Sequence, residues 1–305
     1  MLNKLNTRQK AILALIIANI IWGAASPIFK YSLESIPPFT LAFLRFSIAS
    51  LILFPFVHKE LHKLTSVIDN WKEIFLFSIF GTTINITFFF LALKSTESIN
   101  APIIGSSGPI IILIFSVLFL HEKAGLKKIL GMLLSFFGIL IIILEPVIKH
   151  GLDGSVIGNI FLVIATLGAV GQTLIGKKVT KKYSPLPLTF WSFIIGSITF
   201  IPMMIPELKT LPPLDVKSVI GIVYGSIFSS FIAYSLYAWG LSKIDASEAG
   251  LFAYIDPVIA IVIAYPLLGE KPTSLFLLGS VLVFFGIYIT ERRLNYHPIK
   301  KLLRT

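Results

Sequence analysis

Two charged side chains stand where the chain is otherwise apolar. Arg45 lies in the stretch 38–57, and Asp256 lies in the stretch 246–268, immediately before Pro257. A charge inside an apolar run of that length is expensive unless it meets water, a partner or a ligand, so both residues mark a candidate site. Three chemistries are open to them. They can form a buried Arg–Asp pair. Asp256 can titrate or receive a cationic group of a substrate. Or Arg45 can snorkel to the interface while Asp256 is hydrated there. Pro257 has no N–H and leaves the carbonyl one turn earlier without its donor.

Uncharged polar residues punctuate the same stretches. Asn19, Trp22 and Ser26 fall at i, i+3 and i+7, on one helical face. Ser226, Ser230, Tyr234 and Tyr237 form a second stripe, and Thr82, Asn85, Thr87, Ser106, Ser107, Thr166, Gln172, Thr173 and Tyr254 complete the set. One-sided stripes suggest the lining of a watery cavity. The competing role for Ser, Thr and Asn is to staple helices or to bond back to their own turn. For Trp22 and the tyrosines the competitor is ordinary packing, against stacking on a flat or cationic substrate. The expected substrate-binding set is therefore Asn19, Trp22, Ser26, Arg45, Thr82, Asn85, Ser106, Gln172, Ser230, Tyr234, Tyr237, Tyr254 and Asp256.

Other chemistries find little support. The absence of cysteine removes disulfides, thiolate metal sites, iron–sulfur clusters and thiol catalysis. Gly171–Lys178 imitates a phosphate-binding loop, but it lacks the closing Ser or Thr and follows no strand. His58 and His62 are four residues apart, yet Glu60 is misplaced for a zinc protease. No Asp-rich pair suited to magnesium–diphosphate occurs either. No metal, cofactor or enzymatic activity is expected.

The elements that must position these residues follow from composition. The 305 residues are 55% hydrophobic and 13% charged, with a mean hydropathy of +0.89, whereas soluble domains carry about 25% charged residues. Ten apolar stretches are long enough for spanning helices: 11–31, 38–57, 73–93, 99–120, 127–144, 156–175, 186–206, 217–240, 246–268 and 274–290. Alternation at strand length is lacking, which disfavours a barrel. Ala24, Ala25 and Ser26 resemble a signal-cleavage site, but the first stretch is as long as the others and is read as a span.

The net charge of +11 reflects where the basic residues sit. With the N-terminus inside, nineteen of the 26 Lys and Arg fall in inner loops and tails. Lys30, Lys94, Lys149, Lys209, Lys217 and Lys271 fall outside, and Arg45 lies within a span. Positive-inside bias thus puts both termini in the cytoplasm and the chain in the cell membrane. The charge is a topology signal, and no nucleic-acid partner is expected.

A shift of 148 residues lays the chain on itself. Leu93 meets Leu241, Ala101 meets Ala249, Pro109 meets Pro257, Glu122-Lys123 meets Glu270-Lys271, and Phe136–Ile139 meets Phe284–Ile287. Gly23 likewise has a counterpart in Gly171, whereas the shift sets Arg45 opposite Phe193, with Ile194 next to it, and so gives Arg45 no charged mate. Five spans per copy is an odd number, so the second copy enters the membrane upside down. Inverted repeats are the recurrent architecture of secondary transporters, with the site between halves near the midplane.

With Trp22-Gly23 and Pro27, Arg45-Phe46, Pro109, Glu122-Lys123, Pro257, Gly269-Glu270-Lys271, Gly279 and Gly286 in this order, the sequence resembles the drug/metabolite transporter superfamily, in its EamA branch. The resemblance covers about 11–290. It implies an all-α integral membrane protein whose ten transmembrane helices form two inverted five-helix repeats, 11–144 and 156–290. A tail 1–10, a linker 145–155 and a basic tail 291–305 complete the chain. The implied activity is export or exchange of small metabolites through a central cavity, with the bilayer and a small-molecule substrate as partners. The rival is a non-transporting assembly or sensor module. Small residues Gly131, Ser135, Gly138, Gly279 and Gly286 permit close helix packing within the chain or a homodimer through the fifth and tenth spans. Glu122 and Glu270, at span ends beside Lys, are expected as caps or ion pairs.

Overall fold

The computed structural model describes residues 6–61, 71–108, 110–111, 115, 126–150, 154–180, 182–244, 249 and 251–291. Pro109, Glu122, Lys123, His62 and the tails 1–5 and 292–305 lie outside the described residues. The described residues form ten main helical segments: α1 (Thr7–Ser32), α2 (Pro38–Leu61), α3 (Trp71–Leu93), α4 (Asn100–Gly105), α5 (Leu126–His150), α6 (Gly154–Val179), α7 (Pro185–Glu207), α8 (Val216–Lys243), α9 (Asp256–Leu268) and α10 (Ser274–Glu291). Among them α1, α2, α3, α6, α7 and α8 are each long and apolar enough to cross a membrane by themselves. Large apolar side chains such as Leu133, Phe136, Val281 and Phe285 face outward, as a lipid-facing belt requires.

Local chemistry sets the helix ends. Asn6 and Gln9 cap α1 reciprocally, each side chain accepting from the other's N–H at 2.9 Å. Asp215 opens α8 by accepting from Ser218 N at 2.8 Å. Gly269 ends α9 with φ +70°, a left-handed turn that a side chain disfavours.

The ninth span is not one continuous helix. A 3₁₀ turn, Leu251–Ile255, precedes Asp256, so Pro257 falls in the first turn of α9, where a missing N–H costs nothing. Two other spans widen midway into π-helical segments, Ile79–Ile84 in α3 and Tyr224–Ile232 in α8. The 148-residue shift carries the first onto the last six residues of the second. Such widened turns are rare and concentrate at functional places.

The packing shows the inversion directly. Lys30, at the end of α1, donates to Thr96 O just beyond the end of α3. Lys178, its equivalent at the end of α6, pairs with Glu73 at the start of α3 at 2.8 Å. Corresponding helices of the two halves therefore finish at opposite ends of the same α3. Below, the near end is where α1 starts and the far end is where it finishes.

Helix pairs follow the same two-fold relation. α1 packs on α8 and α9 as α6 packs on α3 and α4, while α2 meets α7 and α5 meets α10. The small-residue faces of α5 and α10 meet each other. A Cβ added to Gly138 would lie 2.6 Å from Gly279 O, one added to Gly286 would lie 2.5 Å from Gly131 O, and Ser135 Oγ donates to Val283 O at 3.0 Å. These small residues thus bring α5 and α10 together within one chain.

Candidate functional site

Between the halves lies a cavity of about 300 Å³, a size that suits a small organic ligand. Residues of α1, α2, α3, α4, α6, α7, α8 and α9 line it, whereas none of its described lining residues belongs to α5 or α10. It runs from Phe29 and Arg45, past Asn19, Trp22 and Asp256, to Phe77, Thr180 and Leu188 beside the near end.

Ten of the thirteen expected residues line this cavity: Asn19, Trp22, Ser26, Arg45, Asn85, Ser106, Gln172, Tyr234, Tyr237 and Asp256. The other three are not among its lining. Thr82 is fully buried and shares a 2.6 Å hydrogen bond with Ser192. Ser230 is buried behind Arg45, and Tyr254 packs edge-on against Phe284. The one-face stripe that included Ser226 and Ser230 was misleading because the π turn rotates the residues after it. Periodicity at 3.6 residues fails across such a turn.

Several lining residues are held by identifiable contacts. Trp22 donates its indole N–H to Ser229 O, within the widened part of α8, at 3.1 Å. Its ring lies 5.2 Å from Tyr234 and 5.0 Å from Tyr237 between centroids. Gly23 brings the α1 backbone onto α9, because a Cβ there would lie 2.8 Å from Asp256 O. Asn85 donates to Ala165 O of α6 at 2.8 Å and so joins the halves, and Gly81 leaves room for the Gln172 side chain. Asn19 and Ser106 bond back to Leu15 O and Pro102 O, each at 2.7 Å, the local role that competes with binding. Ser26 Oγ is buried without a partner.

Arg45 is 1% exposed. It donates Nε to Ser230 Oγ at 3.0 Å and Nη2 to Ser229 Oγ at 3.1 Å, and its guanidinium lies within 6 Å of the Phe29, Phe46 and Phe90 rings. Its partners are hydroxyls and rings; no ion pair with Asp256 is formed. Snorkelling fails too, since the guanidinium is held inside. Under the two-fold relation Ser230 corresponds to Thr82, and Thr82 bonds Ser192. Ser192, rather than Phe193 or Ile194, thus makes the contact equivalent to that of Arg45. Ile194 packs into the apolar core.

Sequence reasoning missed Phe29, Phe89, Thr189, Ser192 and Ser229 among the lining residues. The serines and Thr189 carried a polarity signal. The two phenylalanines carried none, since Phe is common on lipid-facing and core positions alike.

The far end is closed by polar contacts between the halves. Glu270 accepts from Ser98 N at 2.9 Å, Ser98 Oγ at 2.7 Å and Ile99 N at 3.2 Å, and pairs with Lys30 at 2.9 Å. It thereby caps the start of α4 from the opposite half. Glu207 does the same for α2, accepting from Phe39 N at 3.2 Å and Thr40 N at 2.7 Å. Ser35 donates to Asp215 at 2.6 Å, and Lys217 pairs with Glu34.

The EamA-like transporter family matches the chain twice, over residues 9–144 and 156–292. The chain belongs to this family. An uncharacterized transporter of Archaeoglobus fulgidus is 30% identical over 275 residues, 89% of this chain and 95% of that protein. The uncharacterized transporter YdfC of Bacillus subtilis is 27% identical over 278 residues, 90% of this chain and 89% of its own length. A solved crystal structure shares the fold of this EamA-like protein with a TM-score of 0.65 at 17% identity, covering 92% of this chain and 96% of that one.

Proposed function

We propose that this protein is a secondary transporter that exports or exchanges small metabolites, such as amino acids or related compounds, by alternating access. The observation that carries the proposal is the cavity between inverted halves, reaching the near end while cross-half hydrogen bonds close the far end. Transport needs a site that faces one side at a time, and two halves related by inversion supply two equivalent closures. In the cell membrane, with both termini cytoplasmic as the basic loops suggest, this state faces the cytoplasm. No catalytic step is assigned to the cavity.

Counterflow in proteoliposomes tests this reading. Saturable uptake of a labelled amino acid or related metabolite, competed by the unlabelled compound, is the expected result. Purified protein that folds yet exchanges nothing across a broad metabolite panel would leave a non-transporting module as the better description.

A further inference from the structure

Of the described cavity-lining residues only Arg45 and Asp256 carry charge, and their situations differ. Arg45 is engaged by Ser229 and Ser230 and enclosed by three phenylalanine rings. Asp256 lines the cavity with its Oδ1 buried and without a hydrogen-bond partner. A buried carboxylate oxygen left unpaired is costly, and a site that keeps one gains most from a ligand that donates to it.

The repeat shows that the equivalent stretch of the first half is built without this carboxylate. The 148-residue shift sets Asp256 opposite Gly108, which also lines the cavity. Around that position the twins agree, with Ala101 opposite Ala249, Gly105 opposite Ala253 and Pro109 opposite Pro257. The same stretch serves the first half with no side chain at all. Gly23 holds the α1 backbone against the Asp256 main chain, and Trp22 and Tyr237, 5.0 Å apart between ring centroids, line the same cavity as the carboxylate. A cavity that offers both aromatic rings and a carboxylate attracts a cation twice over, by the ring quadrupole and by charge.

We infer that the transported compounds are organic amines, with the protonated nitrogen on Asp256 and a flat apolar body against Trp22 and Tyr237. Arg45 already commits Nε and Nη2 to Ser230 and Ser229, whereas Asp256 Oδ1 has no partner to give up when a ligand binds. This inference rests on the carrier reading for its meaning, but its test does not require transport.

The test uses three probes sharing one phenyl body: phenethylamine, phenylalanine and 3-phenylpropionate, titrated against the full chain in nanodiscs by thermal stabilisation. Phenethylamine and phenylalanine should stabilise the protein at concentrations about tenfold below those needed for 3-phenylpropionate, the scale of one desolvated charge pair. Asp256→Asn should erase that preference and Asp256→Glu should keep it, each variant first checked for monodisperse elution. If Asp256→Asn does not fold, the wild-type ranking and Asp256→Glu still decide. Equal ranking of the three probes, preference for 3-phenylpropionate, no stabilisation by any probe, or an unchanged preference in Asp256→Asn would overturn the inference. Counterflow of labelled phenethylamine separates the two ideas. Charge-selective binding without counterflow spares the ligand class and removes the carrier, while counterflow of other metabolites without amine preference does the reverse.

Discussion

Replacing Glu270 by Gln should release the far end. The carboxylate accepts three hydrogen bonds from Ser98 and Ile99 and pairs with Lys30, with only 8% of its side chain exposed. A Gln carbonyl can keep one main-chain donor, while its amide turns a donor toward the others. Lys30 is 27% exposed and retains Thr96 O, so its loss is partial. Losing charge-assisted bonds of this kind, discounted for that exposure, costs about 2 to 3 kcal/mol. Rocking one half against the other breaks these contacts in any case, so the cost falls on the present state alone. It shifts the balance toward far-end opening by about 30- to 150-fold. The chain has no cysteine, so Ser26→Cys in the cavity gives a single reporter for a membrane-impermeant maleimide. In otherwise wild-type protein it should label from the near end. Adding Glu270→Gln should make it label from the far side of sealed vesicles as well. Unchanged one-sided labelling in a variant that elutes like the parent would refute the latch.

Further predictions concern packing, the buried guanidinium and pH. Gly23→Ala places a Cβ 2.8 Å from Asp256 O, and should lower stability by about 1 to 3 kcal/mol through backbone displacement, read as a fall in Tm of the detergent-solubilised protein. Arg45→Lys retains the charge but loses the fork that reaches Ser229 and Ser230 together. It should cost about 1 to 3 kcal/mol in thermal or urea denaturation, and a Lys variant as stable as the parent would contradict the structural role given to Arg45. Hydrogen bonds from Ser35 and from Ser218 hold Asp215 down at about 2, below its usual 3.8. A depressed carboxylate stabilises the fold above the unfolded value and loses that contribution as pH falls through the folded one. The Tm difference between the parent and Asp215→Asn should therefore be constant above pH 3.8 and close as pH falls toward 2. A difference that persists at pH 2 would remove the linkage.

Much of the architecture was legible because the membrane simplifies the problem. Stretches such as 38–57 and 186–206 had to be helices, since lipid leaves every main-chain donor to be satisfied within the segment. The repeat was visible because the gap-free 148-residue shift preserved Pro257 opposite Pro109 and Glu270 opposite Glu122. Legibility stopped where regular geometry stopped. The π turns of α3 and α8 follow from no propensity, and they decided that Ser230 sits behind Arg45 while Tyr234 and Tyr237 reach the cavity. Pro257 announced a break, but only the packed structure placed it in the first turn of α9.

The amino-acid order by itself determined how many apolar segments there are, their duplication, and which polar residues are too costly to leave in lipid. Those properties are local or additive along the chain, so burial cost and charge bias reveal them without coordinates. What Arg45 touches, that Asp256 stands apart from it, and which end of the cavity is shut were decided by tertiary structure alone. Such facts depend on a few ångströms between segments more than a hundred residues apart, as between Arg45 and Ser230 or Ser98 and Glu270. Apolar composition, common to every helix here, does not encode those separations.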